Sequence, residues 1–201
     1  MEDQHALEIH KFYCDADMVV MYKSQVLSYI EYKTPGIYHA CANVLDSVDS
    51  IQRKFLSDIC ISLCDSLMSF KLAPLKVRRD IAMMGVIHRA ALGKGPSQLQ
   101  DLFPPAVSVG RRSARIAAKR HTKERAVTIE DHQRCMVERS AFGLVRVYNL
   151  LPQQFVDTDS VSLFQSGLQH LVRTRATGGC ADWQSTLSPR VQIEVHPLRR
   201  L

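Results

Sequence analysis

Metal-assisted phosphoryl chemistry needs carboxylates close enough to share two divalent ions, and no Asp-Asp pair occurs anywhere in the sequence. The nearest approach, Phe12-Tyr13-Cys14-Asp15-Ala16-Asp17, separates its acids by Ala16, and N-capping of a following helix accounts for Asp15 and Asp17. His10 with Cys14, and Cys60 with Cys64, are pairs four residues apart, but no finger or knuckle spacing joins them. The six cysteines include no Cys-x-x-Cys pair and read as free thiols. Gly93-Lys94-Gly95 lacks the phosphate-loop spacing and follows a helix where such a loop follows a strand. His88 falls on an apolar helix face and reads as structural, and Ser140 and Ser166 sit in no nucleophile elbow. No catalytic residue, metal or cofactor is expected.

The remaining chemistry is that of cations. The chain of 201 residues carries a net charge of +6, unevenly placed. Residues 1–104 sum to −1, residues 105–134 to +5 and residues 135–201 to +2. The middle segment holds Arg111, Arg112, Arg115, Lys119, Arg120, Lys123 and Arg125 with few large apolar groups, too little to offset the entropy of ordering. One reading is a flexible, disordered linker. The other is an arm that binds phosphates of RNA or DNA without reading sequence, since clustered Lys and Arg release counterions. Aromatic residues that would stack on bases are absent from it.

The elements around that segment follow from periodicity. The best marked is Pro74–Pro96, where Val77, Ile81, Met84, His88 and Ala91 share one helical face between a proline start and a glycine stop. Upstream, Met18, Tyr22, Val26, Tyr29 and Ile30 predict a helix from Asp15 or Asp17 to about Lys33, ended by Thr34-Pro35-Gly36. A short helical piece over 37–42 follows. Val44, Val48, Ile51, Phe55 and Ile59 predict a helix over 44–59, Asp65 caps a shorter one through Lys71, and one turn covers 98–103. Helices over 137–150 and 160–174 come after the basic segment, then an apolar cluster at Trp183 and Leu187 and an extended run at Val191, Ile193 and Val195. The expected class is all-α. A bundle of four or five helices over 1–104, a basic linker over 105–134 and a C-terminal helical pair within 135–201 are its parts. No apolar run of membrane-spanning length occurs and the N-terminus is acidic, so an intracellular location is expected.

Five stretches, taken in order, carry a resemblance. They are residues 21–40, 45–59, 72–96 with its Arg-Arg-Asp and Gly-Lys-Gly-Pro, 139–152 ending Tyr148-Asn149-Leu150-Leu151-Pro152, and 160–172 with Phe164-Gln165. Together they resemble the segment after the palm in reverse transcriptases of non-long-terminal-repeat retrotransposons. Tyr148 stands where that family has Trp and Gln165 where it has Lys, and the catalytic palm is missing. The resemblance implies a thumb and its helical tail without polymerase activity. It also implies backbone contacts to a nucleic-acid duplex from Lys76, Arg78, Arg79 and Arg89. The alternative is a helical module that binds protein through apolar surface orphaned from the palm.

Overall fold

The computed structural model describes residues 12–106, 121–127, 134–138 and 140–200. Among them the regular structure is helical. The described residues contain no strand, only an isolated antiparallel bridge between Pro105 and Arg125. The all-α class is as expected. The chain divides into two compact units, Met1–Arg79 and Asp80–Leu201. That boundary falls inside a helix and not after residue 104.

In the first unit, α1 (Asp15–Met21) runs through a π-helical segment (Tyr22–Leu27) into α2 (Ser28–Ile37). Cys14, not an aspartate, is the N-cap, and Asp17 accepts from the Cys14 N–H. The buried positions are Met18, Val19, Tyr22, then Leu27, Ile30 and Thr34. A step of five from Tyr22 to Leu27 is one residue longer than an α-helix allows on one face, and the π segment supplies that residue. The expected stripe is thereby corrected: Leu27 replaces Val26 in the core, and Tyr29 is 66% exposed. The expected stop at Thr34-Pro35-Gly36 is also corrected. Pro35 lies in the last turn, where it removes a single hydrogen bond, and the Tyr38 N–H still reaches the Thr34 carbonyl at 2.9 Å. No separate helix forms over 37–42, since one helix ends at Ile37 and the next, α3, is Ala42–Asp58.

On α3 the buried positions are Leu45, Gln52 and Leu56, whereas Val44 and Ile51 are exposed. Gln52 turns the helix this way because its amide serves the entry of α5 (Leu75–Ala91). It donates to the Ala73 carbonyl at 3.1 Å and accepts from the Leu75 N–H at 2.8 Å, one of the donors a helix start leaves unpaired. Before it, α4 (Leu63–Phe70) is capped by Ser62, whose hydroxyl accepts from the Asp65 N–H. The expected cap Asp65 instead sits at the third position and accepts from that hydroxyl. Tyr22 stacks on Phe55 with ring centres 4.3 Å apart, and Leu27, Ile30, Leu56, Leu72 and Leu75 complete the core.

The second unit takes α5 from Asp80 onward. Gly93, at φ +66, closes the helix, with Gly93 N–H on Ala90 and Lys94 N–H on Arg89; a left-handed residue at this place suits glycine. Then come α6 (Ser97–Leu102), α7 (Arg134–Val137), α8 (Ala141–Tyr148), α9 (Gln153–Val156) and α10 (Val161–Thr177). Ser140 caps α8 and Ser160 caps α10. The C-terminal run expected to be extended forms short 3-10 turns at Ile193–Val195 and Pro197–Arg200. Ile81, Met84, Ile87, Leu144, Tyr148, Phe164, Leu168 and Leu187 are buried. The boundary lies within α5 because this half of the helix packs on α8 and α10: His88 stacks on Phe164 at 4.1 Å, and Gln165 donates to the Ile81 carbonyl.

Candidate nucleic-acid interface

The cations proposed from sequence have different fates. Arg111, Arg112, Arg115, Lys119 and Arg120 lie outside the described residues. On α5, Lys76 and Arg89 are exposed. Arg78 is half-buried and its guanidinium meets the Glu31 carboxylate at 2.5 Å. Arg79 is 5% exposed and makes a two-pronged pair with Asp49, at 2.5 and 2.9 Å. A fork-on-fork arrangement of this kind occupies both terminal nitrogens of the guanidinium.

Lys123 and Arg125 are drawn into the second unit. The Lys123 ammonium donates to the Val156 carbonyl at 2.6 Å, at the end of α9, and lies 3.7 Å from the Asp159 carboxylate. Arg125 donates to the Ala91 carbonyl at 3.0 Å, at the end of α5, and to the Phe103 carbonyl at 3.4 Å. Positive side chains at helix C-termini satisfy carbonyls that have no partner in the helix and complement the helix dipole. Residues 121–127 therefore do not form the free linker expected there. Their backbone is held as well: Ala126 N–H bonds Pro104 and Ala106 N–H bonds Glu124. On the other side the Asn149 side chain accepts from the Arg125 N–H at 2.9 Å and donates to its carbonyl at 2.8 Å.

Between these elements lies a buried polar cluster centred on Tyr148. The Tyr148 hydroxyl is 3.0 Å from His88 Nδ1, and His88 Nε2 is 2.8 Å from the Thr158 carbonyl. A carbonyl can only accept, so Nε2 carries the proton and Nδ1 accepts from the phenol. His121 Nε2 donates to the Tyr148 carbonyl at 3.0 Å, while its Nδ1 is buried with no partner among the described residues. Burial lowers the pKa of both imidazoles and raises that of the Tyr148 phenol. With both of its ring nitrogens engaged by the protein, His88 is a structural residue of the core.

Two features have no signal in the sequence reading. Lys23 donates to the Phe70 carbonyl at the end of α4, and burial, then the nearby Arg78 and Lys71, lower its pKa. The phase change in the π segment leaves Tyr29 and Tyr32 exposed, with the Lys33 ammonium 5.7 and 5.3 Å from their ring centres. Among the described residues no group of His, Cys, Asp and Glu is arranged to hold a metal ion, and no helix is long and apolar enough to cross a membrane. No family model matches the chain, and no curated protein or solved structure matches it.

Proposed function

We propose that this chain is a non-catalytic helical module of the reverse-transcriptase thumb kind that binds RNA or DNA through phosphates, without sequence selectivity. The reading rests on the ordered resemblance over 21–172 and on charge. The observation that carries it is a division of labour among the cations. Arg78, Arg79, Lys123 and Arg125 are committed to carboxylates and helix ends. Lys76 and Arg89 are exposed, and residues 107–120 hold five cations and no acid.

Counterion release makes such binding steeply salt-dependent, by about −0.9 in log K per log salt for each duplex phosphate neutralised. Five cations correspond to a slope of roughly −4.5. The test is anisotropy of a labelled primer–template duplex across a salt series, beside a variant with Arg111, Arg112, Arg115, Lys119 and Arg120 changed to Gln. Low-salt binding that weakens and loses most of its slope in the variant supports the reading. No binding at low salt overturns it.

A second reading is favoured by a different observation. Val20, Tyr29 and Tyr32 are 63%, 66% and 79% exposed on α1 and α2, apolar and aromatic area of the type that docks on protein. Self-association or partner capture that survives high salt and is lost in Tyr29→Ser/Tyr32→Ser would support a protein-interaction module instead.

A further inference from the structure

The segment 121–127 is fixed to the second unit almost wholly by polar bonds. Lys123 and Arg125 reach carbonyls, and the Arg125 backbone pairs with Asn149. The Thr122 N–H and hydroxyl both meet the Gln153 amide, at 2.9 Å each. The one ring that the segment inserts into the core is that of His121, 5% exposed and edge-on to Tyr148 at 5.2 Å. In its neutral form it closes one hydrogen bond, Nε2–H to the Tyr148 carbonyl. Nδ1 is buried and has no hydrogen-bond partner among the described residues.

We propose that His121 is a proton-operated latch: neutral, it holds residues 121–127 against α8 and α9; protonated, it lets that segment go while the helices of the second unit stay folded. A cation at this position would be buried beside Arg125, and for its second N–H the described residues offer at most the residue's own backbone carbonyl. The Tyr148 hydroxyl is committed to His88. Beyond Tyr148, His88 is itself flanked by Lys123 and Arg125, with Asp159 as the opposing charge. Burial, the largest influence, lowers the His121 pKa and Arg125 adds to it, against the Tyr148 carbonyl, Glu124 and the residue's own backbone, which favour the charged form. A lowered value in the closed state means that the released state binds the proton more readily. Closure is therefore fully stable above the ordinary histidine value of about 6.5 and weakens as pH falls below it. The latch does not depend on the nucleic-acid reading.

Hydrogen exchange of the full chain, corrected for the intrinsic pH dependence, tests this between about pH 8 and about pH 5, the span over which imidazoles titrate. Exchange in a peptide spanning 121–127 is expected to accelerate in acid by up to about tenfold per pH unit, the limit for uptake of one proton, while α10 keeps its protection. The fluorescence of Trp183, the single tryptophan, is expected to stay constant. His121→Gln keeps an amide donor for the Tyr148 carbonyl and cannot titrate, so its segment should remain protected at both ends of the range. Unchanged protection of the native segment in acid overturns the proposal, as does equal acid release in His121→Gln. Simultaneous loss of segment protection, α10 protection and the Trp183 signal would mean global unfolding and overturns it too. This last comparison uses the native chain alone and can overturn the proposal even if the variant does not fold.

Discussion

Removing Asp49 is expected to cost the first unit about 3–5 kcal/mol, because it orphans a buried guanidinium. The scale follows from the pair's geometry. Arg79 and Asp49 side chains are only 6% and 12% exposed, and two charge-assisted bonds at 2.5 and 2.9 Å join them, each worth on the order of 1.5–3 kcal/mol. With Asp49→Ala, water has little access to replace the lost acceptors. Arg79→Met combined with Asp49→Leu fills the same volume without charge and should recover most of the loss. The assay is urea unfolding followed by near-ultraviolet circular dichroism. Five of the six tyrosines lie in Met1–Arg79, and Tyr22 is stacked on Phe55. With a denaturant slope of about 1 kcal/mol per molar, the midpoint should fall by roughly 3 M or more in Asp49→Ala. A loss below about 1 kcal/mol, the size of an exposed pair, would refute the reasoning and return Arg79 to the cations available for phosphate.

Three further outcomes are expected. A Cβ at Gly143 would lie 2.5 Å from the Val137 carbonyl oxygen and 2.8 Å from the Glu138 Cα, backbone that cannot step aside. Gly143→Ala should therefore destabilise the second unit by about 2–3 kcal/mol by Trp183-monitored melting. Gly36, inside α2, has nothing within 4 Å of the same position, so Gly36→Ala should stabilise the first unit by up to about 1 kcal/mol in the tyrosine-monitored transition. The Tyr22 hydroxyl is buried without a partner among the described residues, and burial pushes its pKa up to about 12. Spectrophotometric titration should show it ionising late, with stability falling as pH rises above the ordinary tyrosine value of about 10. Tyr22→Phe should abolish that late step and be neutral or mildly stabilising in urea.

Helices were legible in the sequence where an apolar period coincided with a capped start. The stretch from Leu75 to Ala91 had both, and Ser160 foretold the start of α10. Periodicity misled where the backbone changed phase. From Met18 to Ile30 the residues fit a 3.6-residue period well enough to hide the π segment, and that period points Val26 and Tyr29 inward. On α3 the buried Gln52 was invisible to a rule that counts only apolar side chains, although its role is set by the next helix's unpaired N–H. The reading of 105–134 failed at 121–127 for a related reason. Charge there predicts solvation, yet Lys123 and Arg125 are used on carbonyls at helix ends, a pairing between distant elements that no local window contains.

The Asn149 amide has a consequence for self-assembly. At the Pro105–Arg125 bridge the ladder bonds come from the neighbouring residues, so the Arg125 N–H and carbonyl point away from Pro105. In a growing sheet those two groups would recruit a further strand. Here one side-chain amide takes both of them, acting as a counterfeit peptide unit with no chain beyond it to extend. Among the described residues the pairing is this single bridge, and Arg125 presents no template to another copy. Asn149→Ala would reopen that edge, with aggregation rather than unfolding as its expected signature in light scattering.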